Sequence, residues 1–513
     1  MGVRLKRVLT AALLAALCAS AGSCAKADYP SPVTATDHLL RARVDTASAM
    51  IDHGGLQAVV EDLGRIVSSP DYANLSDGYR HEIDELLGMA AYRSRRLDIA
   101  EQELRRASQS SLATDDDRAL WLQTAVLNSR FDDAYAAFQA LIPHAAGFEN
   151  GLGDRNISDM DVGLGALPDP RPQRVWEAYL DGQGWQAHGD RVAFETVRFD
   201  YAVNLLDDGK PDAARKVAGD LSEPDVLVRV AADRRFDAIR AADPDRFDPV
   251  ASTERRLARF RLLTKADPSG LNMQTAVVSE TMRLGRLSDA LTVLQPAISS
   301  GGGGTLTDGA RDPSTSWAVR LAIRQEIALL FALGRRDEAL GIAEGAQCTA
   351  CGPNFSWALM QTRMLVAVGR GREALDRLNA IPTDALGLRE RAEQAAYKVC
   401  AAELVQDASI KAAQLLYLRS RRLADPAALV TAELCLGDLD GAAAAAEESL
   451  ADPRERAGML EALQVYLPPP SPTAWQSQMA QRMDALRARV DLQAAVNRVG
   501  RIRQVGLIDM NAI

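Results

Sequence analysis

The sequence predicts an all-α solenoid built from antiparallel helix hairpins, and three observations lead to this fold class. Ala, Leu and Arg are abundant in the 513 residues, whereas strand-forming residues are sparse. Apolar residues recur at helical spacing along most of the chain. Small residues recur at a fixed interval, since Ala100 and Ala134 are 34 residues apart. Repetition of this kind predicts stacked helix pairs rather than one globular core.

The two clearest hairpins lie between residues 77 and 143, and the second repeats the first. Leu97 and Leu104 of the first hairpin are followed 34 residues later by Phe131 and Phe138. The pattern places a small residue where two helices cross and larger apolar residues before and after it on the same face. Such a pattern reflects helix packing and does not indicate a catalytic or binding site.

The same rule recurs in the second half of the chain. Ala339 and Ala374 are 35 residues apart, and Ala442 follows Ala374 after 68 residues. The last interval is twice 34 residues, so an intervening repeat is expected near Ala408.

The first hairpin resembles the tetratricopeptide repeat, because seven residues have the spacing of that motif: Leu87, Gly88, Tyr92, Leu97, Ala100, Leu104 and Ala107. The chain is therefore identified as resembling an exported bacterial protein of the tetratricopeptide repeat superfamily. The resemblance is specific for residues 77–143 and 317–382 and weak for 226–266. It implies a superhelix whose first helices line a concave face that receives peptides. Matching the repeats implies that this face includes Glu82, Glu85, Tyr92, Gln123, Phe199, Arg324, Phe331, Arg363 and Tyr397.

Arg324 and Arg363 resemble the basic clamp with which some members of this family hold a peptide's carboxylate. A guanidinium fork suits a carboxylate because it offers two parallel hydrogen bonds. The asparagines that accompany such a clamp in the family are missing here.

Breaks in the helical pattern divide the chain into seven predicted segments. These are a signal peptide (1–27), N-terminal repeats (28–144), a Gly/Pro/Asp-rich loop (145–172), central repeats (173–298), a Gly-rich loop (299–314), C-terminal repeats (315–467), and a capping helix with a tail (468–513). The capping helix is expected from Thr473 to about Gly500 as one amphipathic helix, with Trp475, Met479, Met483, Leu486 and Val490 on its apolar side.

The N-terminus predicts export. A basic start with Arg4, Lys6 and Arg7 precedes an apolar stretch too short for a membrane span, and Ala25–Ala27 has the pattern of a cleavage site. Residues 21–24 also resemble a lipobox, in which Cys24 would be lipidated. A soluble periplasmic protein, an outer-membrane lipoprotein and a protein with an uncleaved N-terminal anchor all remain open, and contact with a membrane is expected only through such an N-terminal anchor.

Charge and residue usage exclude several classes of function. Removal of residues 1–27 takes away four bases and no acids, so the formal net charge of −10 becomes −14. Such an acidic chain is a poor partner for nucleic acid, whose affinity depends on cations that neutralise phosphates. The five histidines (His38, His53, His81, His144 and His188) show no metal-binding or catalytic spacing. The sequence therefore predicts no catalytic residue, metal or cofactor.

Two pairs of cysteines attract attention. Cys348 and Cys351 form a C-x-x-C pair, for which a structural disulfide is favoured over redox-labile thiols or a metal site in an oxidising compartment. Cys400 and Cys435 are 35 residues apart at near-equivalent positions of successive first helices, so they are expected to lie close together. Whether either pair is bonded stays open.

The sequence thus predicts a non-catalytic scaffold of the cell envelope that binds a protein or peptide partner on the concave face. Two alternatives stay open. The first is a module that binds glycan or peptidoglycan, although only 5% of the residues are aromatic. The second is an enzyme that uses the 145–172 loop or the Cys348/Cys351 pair.

Overall fold

The computed structural model describes residues 35–144, 147–186, 191–266, 270–300, 317–345, 355–383, 386–420 and 425–510. Within these ranges the chain is almost entirely helical. The predicted signal peptide with Cys24, the Cys348/Cys351 pair and most of the predicted Gly-rich loop lie outside the described residues. No helix in the described ranges is both long enough and apolar enough to cross a lipid bilayer.

The first half of the chain forms sixteen of the described helices: α1 (Ala35–Asp52), α2 (Leu56–Val67), α3 (Asp77–Arg93), α4 (Leu97–Gln109), α5 (Asp115–Leu127), α6 (Phe131–Leu141), α7 (Glu149–Leu152), α8 (Asp154–Gly165), α9 (Arg171–Gln183), α10 (Arg191–Asp207), α11 (Pro211–Ala218), α12 (Pro224–Ala232), α13 (Asp237–Ala242), α14 (Pro249–Ala266), α15 (Leu271–Arg283) and α16 (Leu287–Ser300).

The second half continues with helices and one short pair of strands: α17 (Trp317–Ala332), α18 (Arg336–Gly345), α19 (Phe355–Ala367), α20 (Gly371–Ala380), α21 (Leu388–Leu404), α22 (Ala408–Ser420), α23 (Pro426–Leu436), α24 (Leu439–Ala451), α25 (Arg456–Ala462), β1 (Val465–Leu467), α26 (Ala474–Arg487), α27 (Val490–Val499) and β2 (Gln504–Ile508). Short 3₁₀ turns cover Pro70–Asn74 and Arg234–Phe236.

Consecutive helices pack as the repeat predicts, in pairs such as α3 with α4, α5 with α6, α19 with α20 and α23 with α24. The alanines expected at the helix crossings are fully buried: Ala100, Ala134, Ala339, Ala374 and Ala442. A residue without bulk at these points lets the two helix axes approach closely, so neighbouring pairs can stack. The prediction of an all-α array of antiparallel helix hairpins is confirmed.

The turn inside each hairpin has a feature that the sequence reading missed. Five residues before each crossing position, one residue adopts a positive φ angle, and it is glycine in most hairpins: Gly209, Gly285, Gly334, Gly369 and Gly437. Arg95, Ser129 and Gln406 adopt this angle without being glycine. The left-handed conformation ends the first helix and redirects the chain into the second.

This turn corrects the register of one repeat. The expected hairpin near Ala408 exists as α21 and α22, but Ala408 is exposed and is only the first residue of α22. Gln406 occupies the turn, so the crossing position is Lys411, the fourth residue of α22. Lys411 reaches out to Glu403 with a distance of 2.7 Å between its Nζ and Oε2. A lysine at the crossing hid the position from a search for small residues.

The predicted loop at 145–172 is also corrected, because it contains α7 and α8. Ile157, Met160 and Leu164 of α8 are buried and form one apolar face. Gly163 belongs to this packing, since a Cβ atom there would lie 2.2 Å from the ring of Phe131. Its glycine therefore marks a close approach of two helices, and reading it as a helix breaker was wrong.

The predicted single capping helix is divided into α26 and α27. Thr473 begins α26 with a capping box that includes Gln476. The chain turns at Arg489, whose backbone is extended and whose side chain binds Asp491 and Asp440. As a result Leu486 is buried, whereas Val490 is 85% exposed and does not continue the expected apolar face.

The segment after α24 does more than cover the last hairpin. Helix α26 contacts α19, α23 and α24, and β2 pairs in parallel with β1 and contacts α14 and α15. Arg336 donates a hydrogen bond to the carbonyl oxygen of Ser471 at 2.8 Å. The C-terminal segment, residues 464–510, thus joins the central hairpins to the C-terminal ones.

Candidate functional site

Three of the predicted binding residues lie together on the first helices of three successive hairpins. These are Arg324 in α17, Arg363 in α19 and Tyr397 in α21. Arg363 donates a hydrogen bond from Nε to Glu393 Oε1 at 2.6 Å, and its guanidinium carbon lies 5.8 Å from the centre of the Tyr397 ring. We call Arg324, Arg363, Glu393 and Tyr397 the arginine cluster.

Within this cluster Arg363 is fixed by its neighbours. Burial opposes its charge, but the carboxylate of Glu393 outweighs burial, so the pKa of Arg363 lies above its ordinary value. Burial also raises the pKa of Tyr397 to about 12. Both groups therefore keep their protons throughout the physiological range. Arg363 is a permanent cation, but one that Glu393 already neutralises.

Arg324 differs from Arg363 because its side chain is exposed and has no ion-pair partner among the described residues. Enough protein surrounds it for desolvation, and then the charge of Arg363, to lower its pKa. Water thus reaches the Arg324 side chain although protein groups lie around it. It remains fully protonated because an arginine pKa starts far above neutrality.

Contacts between distant parts of the chain show which way this face points. Arg155 of α8 donates a hydrogen bond to Glu390 of α21 at 2.6 Å, across 235 residues of sequence. Asp509, just after β2, is close enough for its charge to raise the pKa of Arg363. Helix α21 therefore faces α8, and Arg363 of α19 faces the end of the C-terminal segment; Arg324 of α17 lies beside Arg363 on the same side. We call this surface the inner face.

The remaining predicted binding residues are spread over other places. Tyr92 in α3 and Gln123 in α5 are half-buried on first helices of the N-terminal hairpins. Phe199 and Phe331 are buried in the core, where Phe199 stacks on Phe236 with ring centres 5.2 Å apart. Their assignment to an accessible groove was wrong, because a large apolar side chain on a first helix gains more from packing against the adjacent helix.

The cysteines of successive first helices are close together, as their spacing predicted. Cys400 in α21 and Cys435 in α23 form a disulfide with their Cα atoms 5.1 Å apart. This bond joins two neighbouring hairpins.

A second group of polar side chains was missed by the sequence reading. His81 and Glu85 of α3 lie beside Asp117 of α5, with one possible ligand atom from each within 4.8 Å of the others. The spacing of His81 and Glu85, one helical turn apart, was visible in the sequence. The third member comes from the next hairpin, and only the stacking of α3 and α5 reveals it.

No family model matches the sequence, and no curated protein sequence matches it at a significant level. Several solved structures are similar at low identity. Yeast Tom70 is 11% identical with a TM-score of 0.30, over 90% of this chain and 99% of the other. The Cut9–Hcn1 hetero-tetramer of the APC/C is 12% identical with a TM-score of 0.30, over 90% and 93%.

The TPR domain of P58(IPK) is 10% identical with a TM-score of 0.20, over 88% of this chain and 99% of the other. Scores at this level add nothing to the assignment of the fold, which rests on the helix pairs themselves.

Proposed function

We propose that this chain is a protein-interaction scaffold that binds an acidic segment of a partner protein on the inner face, at Arg324. The observation that carries the proposal is the exposed Arg324, a cation beside Arg363 on a first helix, without an ion pair among the described residues. A carboxylate that reached it would form a charge-assisted hydrogen bond in a partly desolvated place, where such bonds are strong.

The neighbours of Arg324 favour a peptide over a single small anion. Glu393 already neutralises Arg363, so only one cation of the cluster is available to a ligand. The half-buried Tyr397 ring and the stem of Arg363 offer apolar surface beside that charge. An acidic side chain that is flanked by apolar residues fits this combination.

The chain's own C-terminal segment supports the proposal, because it brings one acidic side chain near the arginine cluster. Strand β2 ends at Ile508, which is buried against the core of the C-terminal hairpins, and Met510 packs on the same core. Asp509 lies between them, and its charge acts on Arg363 and Tyr397. A segment with one acidic residue between two apolar residues, Ile508 to Met510, therefore already lies near the inner face.

The aromatic residues argue against the glycan alternative. Sugar-binding platforms present exposed rings, whereas every aromatic residue whose side chain the structure describes is buried or half-buried. The rings of Phe138, Trp176 and Tyr179, for example, pack on one another. A protein partner fits the described surface better.

The location of this function is part of the proposal. The basic and apolar N-terminal stretch with Cys24 supports export to the cell envelope, either as a soluble protein or as a lipoprotein. Fractionation of cells that produce the full chain tests the export. Incorporation of labelled fatty acid, abolished by Cys24→Ser, would identify the lipoprotein, and its absence would identify the soluble form.

The binding proposal is tested with a displayed library of random twelve-residue peptides and the purified full chain. The selected peptides should share an Asp or Glu, and Arg324→Glu should weaken their binding about tenfold or more, the effect of losing one charged hydrogen bond. Arg372→Glu is the matched control, because Arg372 is an exposed arginine on the second helix α20. Peptides without a shared acid, or equal binding by Arg324→Glu, would overturn the proposal.

A further inference from the structure

The group of His81, Glu85 and Asp117 combines side chains that are positioned by two different hairpins. His81 and Glu85 are one turn apart on α3, whose start is fixed by a hydrogen bond from the Tyr79 amide to Ser76. Asp117 is the third residue of α5 and is buried. Its Oδ2 accepts hydrogen bonds from the amide and hydroxyl of Thr114, both at 2.7 Å. The carboxylate is thus held in one orientation before any ligand arrives.

The distances in this group fit coordination better than direct hydrogen bonding. His81 Nε2 lies 3.6 Å from Asp117 Oδ2, which is too long for a hydrogen bond. Zn²⁺ binds imidazole nitrogen and carboxylate oxygen at about 2.0–2.2 Å, so two ligand atoms of a tetrahedral site lie about 3.3–3.6 Å apart. The third ligand atom, from Glu85, is within 4.8 Å of both others. A small movement of that flexible side chain completes the set.

The charges around Glu85 are not balanced by arginine or lysine. The charged groups that act most strongly on it are the carboxylates of Asp117, Glu82 and Asp116, together with His81. Arg41 binds Glu82 at 3.1 Å, which leaves the other three carboxylates facing one imidazole. The adjacent Asp84 has a different environment, since Arg106 donates to it at 3.2 Å and Tyr72 at 2.5 Å.

An independent observation concerns the histidine ring itself. His81 Nδ1 is buried and has no hydrogen-bond partner among the described residues. A buried polar atom without a partner costs free energy, so such atoms often indicate a missing water or ion. An ion bound to Nδ1 would remove this cost, whereas an ion bound to Nε2, the nitrogen that lies 3.6 Å from Asp117, would leave Nδ1 as a donor to a water molecule.

We propose that His81, Glu85 and Asp117 form a binding site for one divalent transition-metal ion, with Zn²⁺ as the best-fitting probe. One imidazole and two carboxylates are a ligand set that borderline ions such as Zn²⁺ accept. Three protein ligands leave a position for water. A bound ion would cross-link α3 and α5 and neutralise the carboxylates that face Glu85. The site is separate from the arginine cluster and does not depend on the proposed function.

The test is calorimetric titration of the chelator-treated full chain with ZnCl₂. Every protein carries Cys348→Ser and Cys351→Ser, so that this thiol pair does not bind the ion. We expect one Zn²⁺ per chain at the site, and Glu85→Gln and His81→Gln should each weaken binding at least tenfold, since even indirect contacts to a metal contribute about 10–100-fold. Titration with Co²⁺ should give visible bands without a thiolate band.

Asp116→Asn is the matched control, because Asp116 is an exposed neighbour of Asp117 that lies outside the ligand set. It removes the same charge as Glu85→Gln and should leave the affinity within about twofold. Zn²⁺ should also raise the melting temperature of the parent and of Asp116→Asn, but not of Glu85→Gln. Absence of binding by the parent, or equal binding by Glu85→Gln and His81→Gln, would overturn the proposal. Should Glu85→Gln fail to fold by circular dichroism, His81→Gln alone decides between these outcomes.

Discussion

The first helices of the N-terminal hairpins and those of the C-terminal hairpins present side chains of opposite charge on the same type of helix pair. In the N-terminal hairpins, α3 and α5 bring the carboxylates of Glu85 and Asp117 to His81, and no arginine in the described part of the chain ion-pairs with either carboxylate. In the C-terminal hairpins, α17 and α19 bring Arg324 beside Arg363. Packing therefore constrains the residues at the contacts between helices, whereas the exposed residues of the first helices can differ from repeat to repeat and so determine which ligand binds.

The two parts also differ in what holds them together. The C-terminal hairpins α21 and α23 are joined by the Cys400–Cys435 disulfide. No cysteine lies between residues 25 and 347, so the N-terminal hairpins are held by packing, hydrogen bonds and ion pairs without a disulfide. Each of the following changes should act on one part and spare the other.

Loss of the disulfide should have the largest effect. The double variant Cys400→Ser/Cys435→Ser should lose about 3 kcal/mol, because the bond constrains the unfolded chain. Hydrogen exchange should become faster in α21–α24, while α3–α6 stay unchanged. The control variant Cys348→Ser/Cys351→Ser keeps the described bond. Equal acceleration in both parts would contradict the separation of the two regions.

Removal of the Arg363 side chain should cause the second-largest loss of stability. Arg363→Ala leaves Glu393 half-buried without its main cation and should cost about 2 kcal/mol. This is below the loss from a fully buried pair, since both side chains remain 20% exposed. Urea unfolding measures the change. The double variant Arg363→Ala/Glu393→Gln should recover part of the loss, and no recovery would mean that packing, rather than the unpaired carboxylate, accounts for it.

Helices α8, α9 and α10 contain a second group of carboxyls, which gives this region, between the two parts compared above, a distinct pH dependence. Burial, followed by the charge of Asp200, raises the pKa of Asp161 well above its ordinary value, and Glu177 is the third member of the group. Gln173 lies near Asp161 without hydrogen-bonding geometry. Burial raises the pKa of Asp200 itself to about 6. In the folded chain these carboxyls therefore keep their protons over a pH range in which the unfolded chain releases them.

These carboxyls stabilise the fold below about pH 4, and their contribution is lost as the pH rises through the folded pKa values. Asp161→Asn keeps the neutral form at every pH. It should raise the melting temperature at pH 7 by about 2 °C, the shift that roughly 1 kcal/mol gives in a large domain. At pH 4 it should change little. A scan of melting temperature against pH measures this, and an equal shift at both values would disprove the raised pKa.

The smallest effects should come from the turns inside the hairpins. Arg95 adopts φ of 62°, a conformation that costs a residue with a side chain about 1 kcal/mol. Arg95→Gly should therefore stabilise the N-terminal part by up to about 1 kcal/mol. Gly369 has φ of 81° and open space around it, so Gly369→Ala should destabilise the C-terminal part by a similar amount. Chemical unfolding of both variants tests the opposite signs.

The sequence predicted what depends on local repetition and missed what depends on distant contacts. The crossing alanines and the proximity of Cys400 to Cys435 followed from spacing alone, because each repeat packs only on its neighbours. The contact of Arg155 with Glu390 joins residues 235 positions apart, and no spacing rule announces it. The loop predicted at 145–172 was wrong for a related reason, since only the facing Phe131 ring explains why glycine is needed at Gly163.

The candidate sites divide in the same way. Matching the repeats placed Arg324, Arg363 and Tyr397 on one surface, as the structure has them. It failed for Phe331, because the repeat fixes which helix a residue is on but not the depth of its side chain. The group around His81 needed the position of the next hairpin, which the spacing of His81 and Glu85 alone does not supply.

Hydrogen exchange of the full chain with and without a selected acidic peptide tests the binding of a partner to the inner face most directly. We expect slower exchange in the first helices α17, α19 and α21 when the peptide is bound, with α18, α20 and α22 unchanged. Protection confined to the second helices, or unaltered by Arg324→Glu, would contradict it.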